Sequence, residues 1–296
     1  MDLDRYKFFF VCGHSRSGTT WVAKVLDLHP RIKCRGEFHF EVLRAGFDEF
    51  VGRRFHLAHR GPMRRIAERC FEDTVRRLMA CPAGRKGKTR VQWLGDRTPR
   101  PLRALLAGCP HLYMHRDGRD VAVSYTIHQL RTEGMDAGRP RWRERLEPLR
   151  RGIRENPRFF KEHPERLFED GQWVRHVARK WATRVRNDLA EAERMRCAGE
   201  AIQVYRYEDM RREPEETRAD MYRFLGLDPA EAAPLRAGET AAGFVAESPS
   251  AKARRGDVGD WANYAIGESG ERFRRAFKEE AGELLIQLGY EKDADW

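Results

Sequence analysis

The apolar residues of this chain fall into short runs separated by small and polar ones. Phe8, Phe9, Phe10 and Val11 make the first run, rich in strand formers. Residues 13–18 follow as a small polar loop. Residues 19–28 then place Val22, Val25 and Leu26 at helical spacing, with Ala23 and Lys24 between them. That order reads as buried strand, loop and helix. After His29-Pro30, a stop signal, 31–34 reads as a short strand. Helices are expected over about 40–51 and 61–80, and 81–88 is a Pro/Gly/Lys loop.

The rhythm then repeats. Residues 91–94 read as a second buried strand. Gly95-Asp96-Arg97-Thr98-Pro99 reads as a polar turn before a helix starting at Pro99 or Arg100. Residues 111–115 read as a strand, and Arg116-Asp117-Gly118-Arg119-Asp120 opens a helix over 121–130. Strand, polar loop and helix recurring in this way predict an α/β protein: a central parallel sheet flanked by helices, entered through a P-loop-like phosphate-binding unit. Ligands of such sheets sit where strands end and loops begin, the edge on which Arg16, Arg97 and Arg116 are expected.

Residues 131–170 break the pattern and read as an inserted helical lid or acceptor-facing segment, or as a solvated helical hairpin with no role in binding. A long amphipathic helix covers 173–195, where Trp173, Val177, Trp181 and Val185 recur every four residues, a spacing typical of core. A strand at 201–205, a helix from Pro214 to about 226, a short helix near 229–237 and a last helix over about 268–288 complete the chain. There is no internal repeat and no linker, so one domain over 1–296 is expected.

Charge changes this picture little. The formal net charge is +11, from 57 basic and 46 acidic residues, and only ten of the basic residues are Lys. Arginine suits planar, forked recognition of phosphate and sulfate. The basic residues alternate with Glu and Asp without a long basic run, which argues against a nucleic-acid partner. The first apolar run is too short for a signal peptide, and no stretch approaches a membrane span. Six cysteines without pairing or metal-ligand spacing point to reduced thiols. A cytoplasmic location without a metal is the expectation; the oligomeric state is open.

The chemistry begins at the loop. A helix start offers N–H groups without intrahelical partners and the positive end of a dipole, so it binds anions. Ser17, Thr19 and Thr20 add hydroxyls there. Gly13 and Gly18 have the spacing of a nucleotide phosphate loop, yet Thr19 stands where that loop needs Lys. The cation is Arg16 instead. Glu37, among aromatic residues, is a candidate base or a surface cap of the next helix.

Four separated motifs now resemble one family, the sulfotransferases that use 3′-phosphoadenosine 5′-phosphosulfate (PAPS) and release adenosine 3′,5′-bisphosphate (PAP). Arg16-Ser17-Gly18-Thr19-Thr20-Trp21 resembles the 5′-phosphosulfate loop. Arg116 with Ser124, in RDGRDVAVS, resembles the 3′-phosphate motif. Tyr207-Glu208-Asp209-Met210 resembles the segment whose Tyr contacts adenine. Arg254-Arg255-Gly256, before Gly259-Asp260-Trp261, resembles the segment that closes on the 3′-phosphate.

This resemblance implies roles. Residues 17–20 would hold the 5′-phosphate and Trp21 would stack on adenine. Arg116, Ser124, Arg254 and Arg255 with Gly256 would grip the 3′-phosphate. Arg16 and Glu37 match the tyrosylprotein and bacterial branch, in which the Glu is the base. The small-molecule branch has Lys at Arg16 and a catalytic His near Asp96-Arg97. The implied reaction is in-line sulfuryl transfer to a hydroxyl, with Arg16 and Arg97 facing the developing charge. The acceptor, whether small molecule, glycan, lipid or peptide tyrosine, stays open. A P-loop kinase or NTPase and a non-catalytic PAP-binding module are the competing readings.

Overall fold

The computed structural model describes residues 3–53, 61–81, 90–101, 105–132, 134, 136–235 and 257–296, with the backbone alone at Arg35. The chain divides into two compact units. One comprises Met1–Gly13, Gly18–Met114 and Asp188–Arg236, the other His14–Ser17, His115–Asn187 and Ala237–Trp296.

The first unit is organised by a five-stranded parallel sheet in the order β2-β3-β1-β4-β5. The strands are β1 (Lys7–Gly13), β2 (Ile32–Arg35), β3 (Trp93–Thr98), β4 (His111–His115) and β5 (Ile202–Arg206). The central β1 pairs with β3 on one side and β4 on the other. Its Phe9, Phe10, Val11 and Cys12 are fully buried. A strand covered on both faces reads as a continuous apolar run, which is why 8–11 was legible. Phe8 and Phe10 pack into a core with Phe40, Phe71, Leu94 and Met195. Each ring contributes about 1.5–3 kcal/mol of burial.

Helices α1 (Thr19–Leu26), α2 (Phe40–Arg53) and α3 (Gly61–Ala80) fall close to expectation. The 91–94 strand needs correcting. It is displaced to Trp93–Thr98, so Gly95, Asp96, Arg97 and Thr98 lie in the strand, in register with Phe9, Phe10, Val11 and Cys12. Gly95 marks no turn there: a Cβ on it would sit 2.2 Å from Cζ of Phe9. Residues 99–101 form no helix. The short helix near 229–237 reduces to the 3₁₀ turn Pro229–Glu231, because Pro234 cannot continue it; residues 236 and 237 lie outside the described residues.

The second unit is helical. It holds α4 (Gly118–Thr132), α5 (Pro140–Arg145), α6 (Glu147–Glu155) and α7 (Phe159–Glu162), so the described residues of 131–170 are largely helical. Next comes α8 (Gly171–Cys197), where Trp173, Val177, Trp181 and Val185 are all buried, as core spacing requires. Gly118 lets α4 approach it closely, since a Cβ would lie 2.5 Å from the Trp181 ring. In the first unit α9 (Tyr207–Arg212), which the sequence pattern did not disclose, precedes α10 (Pro214–Phe224). The final helix, α11 (Gly267–Gln287), belongs to the second unit. Among the described residues no helix is long and apolar enough to cross a membrane.

Candidate active site

In the first unit the site grows from the start of α1. Gly18 caps the helix with φ of 93°. That left-handed conformation favours glycine, and a Cβ would also strike the Tyr207 ring at 2.5 Å. The loop's second glycine is therefore required twice over. Trp21 and Tyr207, the two residues expected at adenine, are both buried and meet edge to face with centroids 5.7 Å apart. The Trp21 indole N–H has no hydrogen-bond partner among the described residues.

Arg97 joins the helix start to the loop that carries Glu37. Its Nη1 donates to the Thr20 hydroxyl and lies 3.6 Å from the Glu37 carboxylate, while its Nε donates to the Gly36 carbonyl at 3.0 Å. Glu37 is half-exposed, whereas the Arg97 side chain is mostly covered. Beside Arg97 on β3, Asp96 is fully buried and accepts the Phe38 N–H at 3.3 Å. Burial raises the Asp96 carboxyl to about 7, against the opposing pull of the Phe38 and Arg97 N–H groups and the Arg97 charge.

In the second unit Arg16, the loop cation, adopts φ of 75° and donates from Nε to Ser124 Oγ at 3.1 Å. A non-glycine residue held there is strained, a feature that concentrates at ligand sites. Ser17 is fully buried, and its Oγ has no partner among the described residues. His14, buried beside them, is lowered to about 4 by desolvation and is a neutral imidazole near pH 7.

Arg116 is buried and donates from Nη2 to the Asp120 carboxylate at 3.3 Å and to the Asp257 carbonyl at 3.1 Å. Asp120 also accepts the N–H groups of Gly259 and Trp261, at 2.9 and 3.0 Å. One carboxylate thus ties the Arg116 motif to the Gly259-Asp260-Trp261 segment that sequence placed with it. Arg254, Arg255 and Gly256 lie outside the described residues.

The role of Asp120 and the contact of Asp96 with the Glu37 loop escaped the sequence reading. Asp120 could have been found as an acid four residues beyond Arg116 on a helix start. Asp96 was hidden because Gly95–Thr98 read as a turn. A buried strand carboxylate leaves no periodic signature.

The Sulfotransferase domain family matches residues 7–285. Rat sulfotransferase 1C2 is 24% identical over 92% of this chain and 82% of its own length. A mouse sulfotransferase solved in complex with PAP is 17% identical, with 96% of this chain and 89% of that one covered and a TM-score of 0.43. The sulfotransferase from Alicyclobacillus acidocaldarius is 19% identical, with 87% and 98% covered and a TM-score of 0.40. The family match spans nearly the whole chain, so this protein belongs to the sulfotransferase domain family and is a sulfotransferase.

Proposed function

We propose that the enzyme transfers the sulfuryl group of PAPS to a hydroxyl acceptor by in-line displacement, leaving PAP. The observation that carries this reading is the Arg97 guanidinium, which touches both Thr20 at the start of α1 and Glu37. A helix start favours the anionic end of a donor, and a half-exposed carboxylate one guanidinium away suits the role of a base toward an acceptor. The buried Ser17 hydroxyl, without a partner among the described residues, fits an anion at the loop, since a buried polar group is costly until it is bonded.

In this reading Ser17, Gly18, Thr19 and Thr20 hold the 5′-phosphate, with Trp21 and Tyr207 at the adenine. Arg116 and Ser124, with Arg254, Arg255 and Gly256, hold the 3′-phosphate. PAPS supplies the activated sulfuryl group. Glu37 takes the acceptor proton as the new S–O bond forms. Arg97 and Arg16 face the charge that grows on the leaving phosphate. Arg16 acts by charge and hydrogen bonding, because a guanidinium does not give up its proton at ordinary pH.

The test is an assay with labelled PAPS against phenols, alkyl alcohols, glycans, lipids and tyrosine peptides, with ATP as a competing donor. Label should pass to at least one hydroxyl class, PAP should appear in equal amount, and ATP should give no phosphorylated product. Tight PAP binding with no transfer to any class would instead favour a binding module.

A further inference from the structure

Two neighbours on β3 hold the Glu37 loop from both ends. Arg97 Nε binds the carbonyl of Gly36 at 3.0 Å, and Asp96 Oδ1 accepts the N–H of Phe38 at 3.3 Å. Glu37 is the residue between them. The loop is also shaped to fit over Asp96. Gly36 has φ of 52°, and a Cβ there would lie 3.4 Å from Asp96 Oδ1. Asp96 is fully buried, and its Oδ2 has no hydrogen-bond partner among the described residues.

A buried carboxyl with one unbonded oxygen can hold a proton there while its other oxygen keeps a backbone contact. We propose that Asp96 is a positioning residue that aims Glu37 by holding the Gly36–Phe38 loop, firmly when ionised and loosely when protonated. This rests on the reading of Glu37 as the base. The reason for the difference is that an ionised acceptor makes a shorter and roughly twofold stronger hydrogen bond than a neutral one.

The groups around Asp96 agree with a proton held near neutrality. Arg97 and Glu37 face it with opposite charges, and their effects oppose each other. The thiols of Cys34 on β2 and Cys12 on β1 interact with it, and burial pushes both thiols well above the usual range, so they are neutral. Burial outweighs the pull of Arg97 and the two N–H groups, which places the Asp96 transition at about 7.

The experiment compares wild type, Asp96→Asn and Glu37→Gln by two readouts. The first is kcat against pH from about 5.5 to 8.5. The second is the amide ¹H–¹⁵N shift of Phe38 over the same range, which needs no turnover. Wild-type kcat should rise several-fold through pH 7, and the Phe38 amide should titrate with the same midpoint. Asp96→Asn keeps an acceptor for Phe38 but cannot ionise. Its kcat should be lower and flat in this range, the Phe38 titration should vanish, and KM for PAPS should stay within about twofold. A wild-type Phe38 amide that does not titrate, or an Asp96→Asn enzyme with the full wild-type pH step, would overturn the proposal. Should Asp96→Asn fold poorly, the wild-type amide titration decides alone. A fully active Glu37→Gln enzyme that still shows the Phe38 titration would overturn the base reading by itself.

Discussion

Arg16 Nε and Ser124 Oγ share a hydrogen bond of 3.1 Å although 108 residues separate them. It joins the loop cation to the hydroxyl of the proposed 3′-phosphate motif. Each group is a donor suited to phosphate oxygen. Arg116, the other member of that motif, donates to the Asp120 carboxylate and to the Asp257 carbonyl. The motif therefore contains one residue coupled to the loop and one coupled to the Gly259–Trp261 segment. Substitutions at the two should separate.

Removing Arg116 should cost PAP more than adenosine 5′-phosphate. A charge-assisted bond contributes about 1.5–3 kcal/mol, so Arg116→Ala should weaken PAP binding by roughly 10–100-fold. Adenosine 5′-phosphate, which lacks the 3′-phosphate, should change little. Ser124→Ala removes a neutral donor and should cost less than about tenfold. Calorimetry with both ligands checks this, alongside a melting curve, because Arg116→Ala also strips the cation from a buried Asp120. Equal losses for the two ligands would remove the 3′-phosphate assignment.

Arg16 should matter more to turnover than to binding. If it meets charge that develops only in the transition state, Arg16→Ala should lower kcat by about 10²–10³ with PAP affinity nearly kept. Its φ of 75° supplies an internal control. Arg16→Gly loses the same guanidinium but relieves backbone strain on the order of 1–3 kcal/mol. The glycine variant should therefore melt higher than the alanine variant while sharing its low kcat. Unchanged kcat with weaker PAP binding would make Arg16 a ground-state phosphate contact.

These residues show what a single sequence discloses. The first strand, loop and helix were legible because Phe8–Val11 is buried on both faces and glycine is demanded at 18. Trp173, Val177, Trp181 and Val185 gave α8 by spacing alone. The third strand was misplaced because its polar half breaks the hydrophobic pattern. Asp96 and Arg97 are there for what they hold, not for packing. Likewise, α9 at Tyr207–Arg212 was hidden: six residues are too few for a period to declare itself. Arg16, Glu37, Arg97 and Arg116 could be named from motifs. The contacts that orient them, through Asp96 and Asp120, could not.

Gly95 offers a test of packing free of catalysis. Gly95→Ala would push a methyl into the Phe9 ring in the centre of the sheet. Overpacking of this kind costs about 1–3 kcal/mol. Phe9→Leu in the same chain should return part of the loss, since it removes the ring that collides. Chemical denaturation of both single variants and the double variant measures the coupling. Strict additivity would show that the contact does not limit residue 95.

The raised carboxyl of Asp96 also has a stability signature. Its folded value of about 7 lies above the ordinary carboxylate value of 3.8, so between these pH values the folded state binds more protons than the unfolded. Stability from this group is full below about pH 4 and is lost as pH rises through 7. Asp96→Asn does not titrate. Its stability relative to wild type should therefore grow from pH 5 to pH 8, by an amount on the order of 2–4 kcal/mol. The buried His14 acts in the opposite sense, losing stability as pH falls from 6.5 toward 4, but it is common to both proteins and cancels in the difference. A pH-independent gap in melting temperature would place the Asp96 transition elsewhere.

Glu37 carries the sharpest catalytic prediction. Its side chain is half-exposed and its ion-pair partner is Arg97, so Glu37→Gln should fold and bind PAP as the parent does. The substitution keeps the size of the group and removes its basicity. A positioned base contributes about 10²–10⁴ in rate, and the loss should reach that range with a weakly acidic alkyl alcohol. A phenol already close to ionisation needs less proton transfer and should lose less. The ratio of the two losses, measured by kcat with one donor concentration and two acceptors, separates a base from a residue that merely shapes the loop. A shaping residue would slow both acceptors alike. Normal turnover with both would move the base to another residue, with Asp96, already near neutrality at about 7, the first to examine.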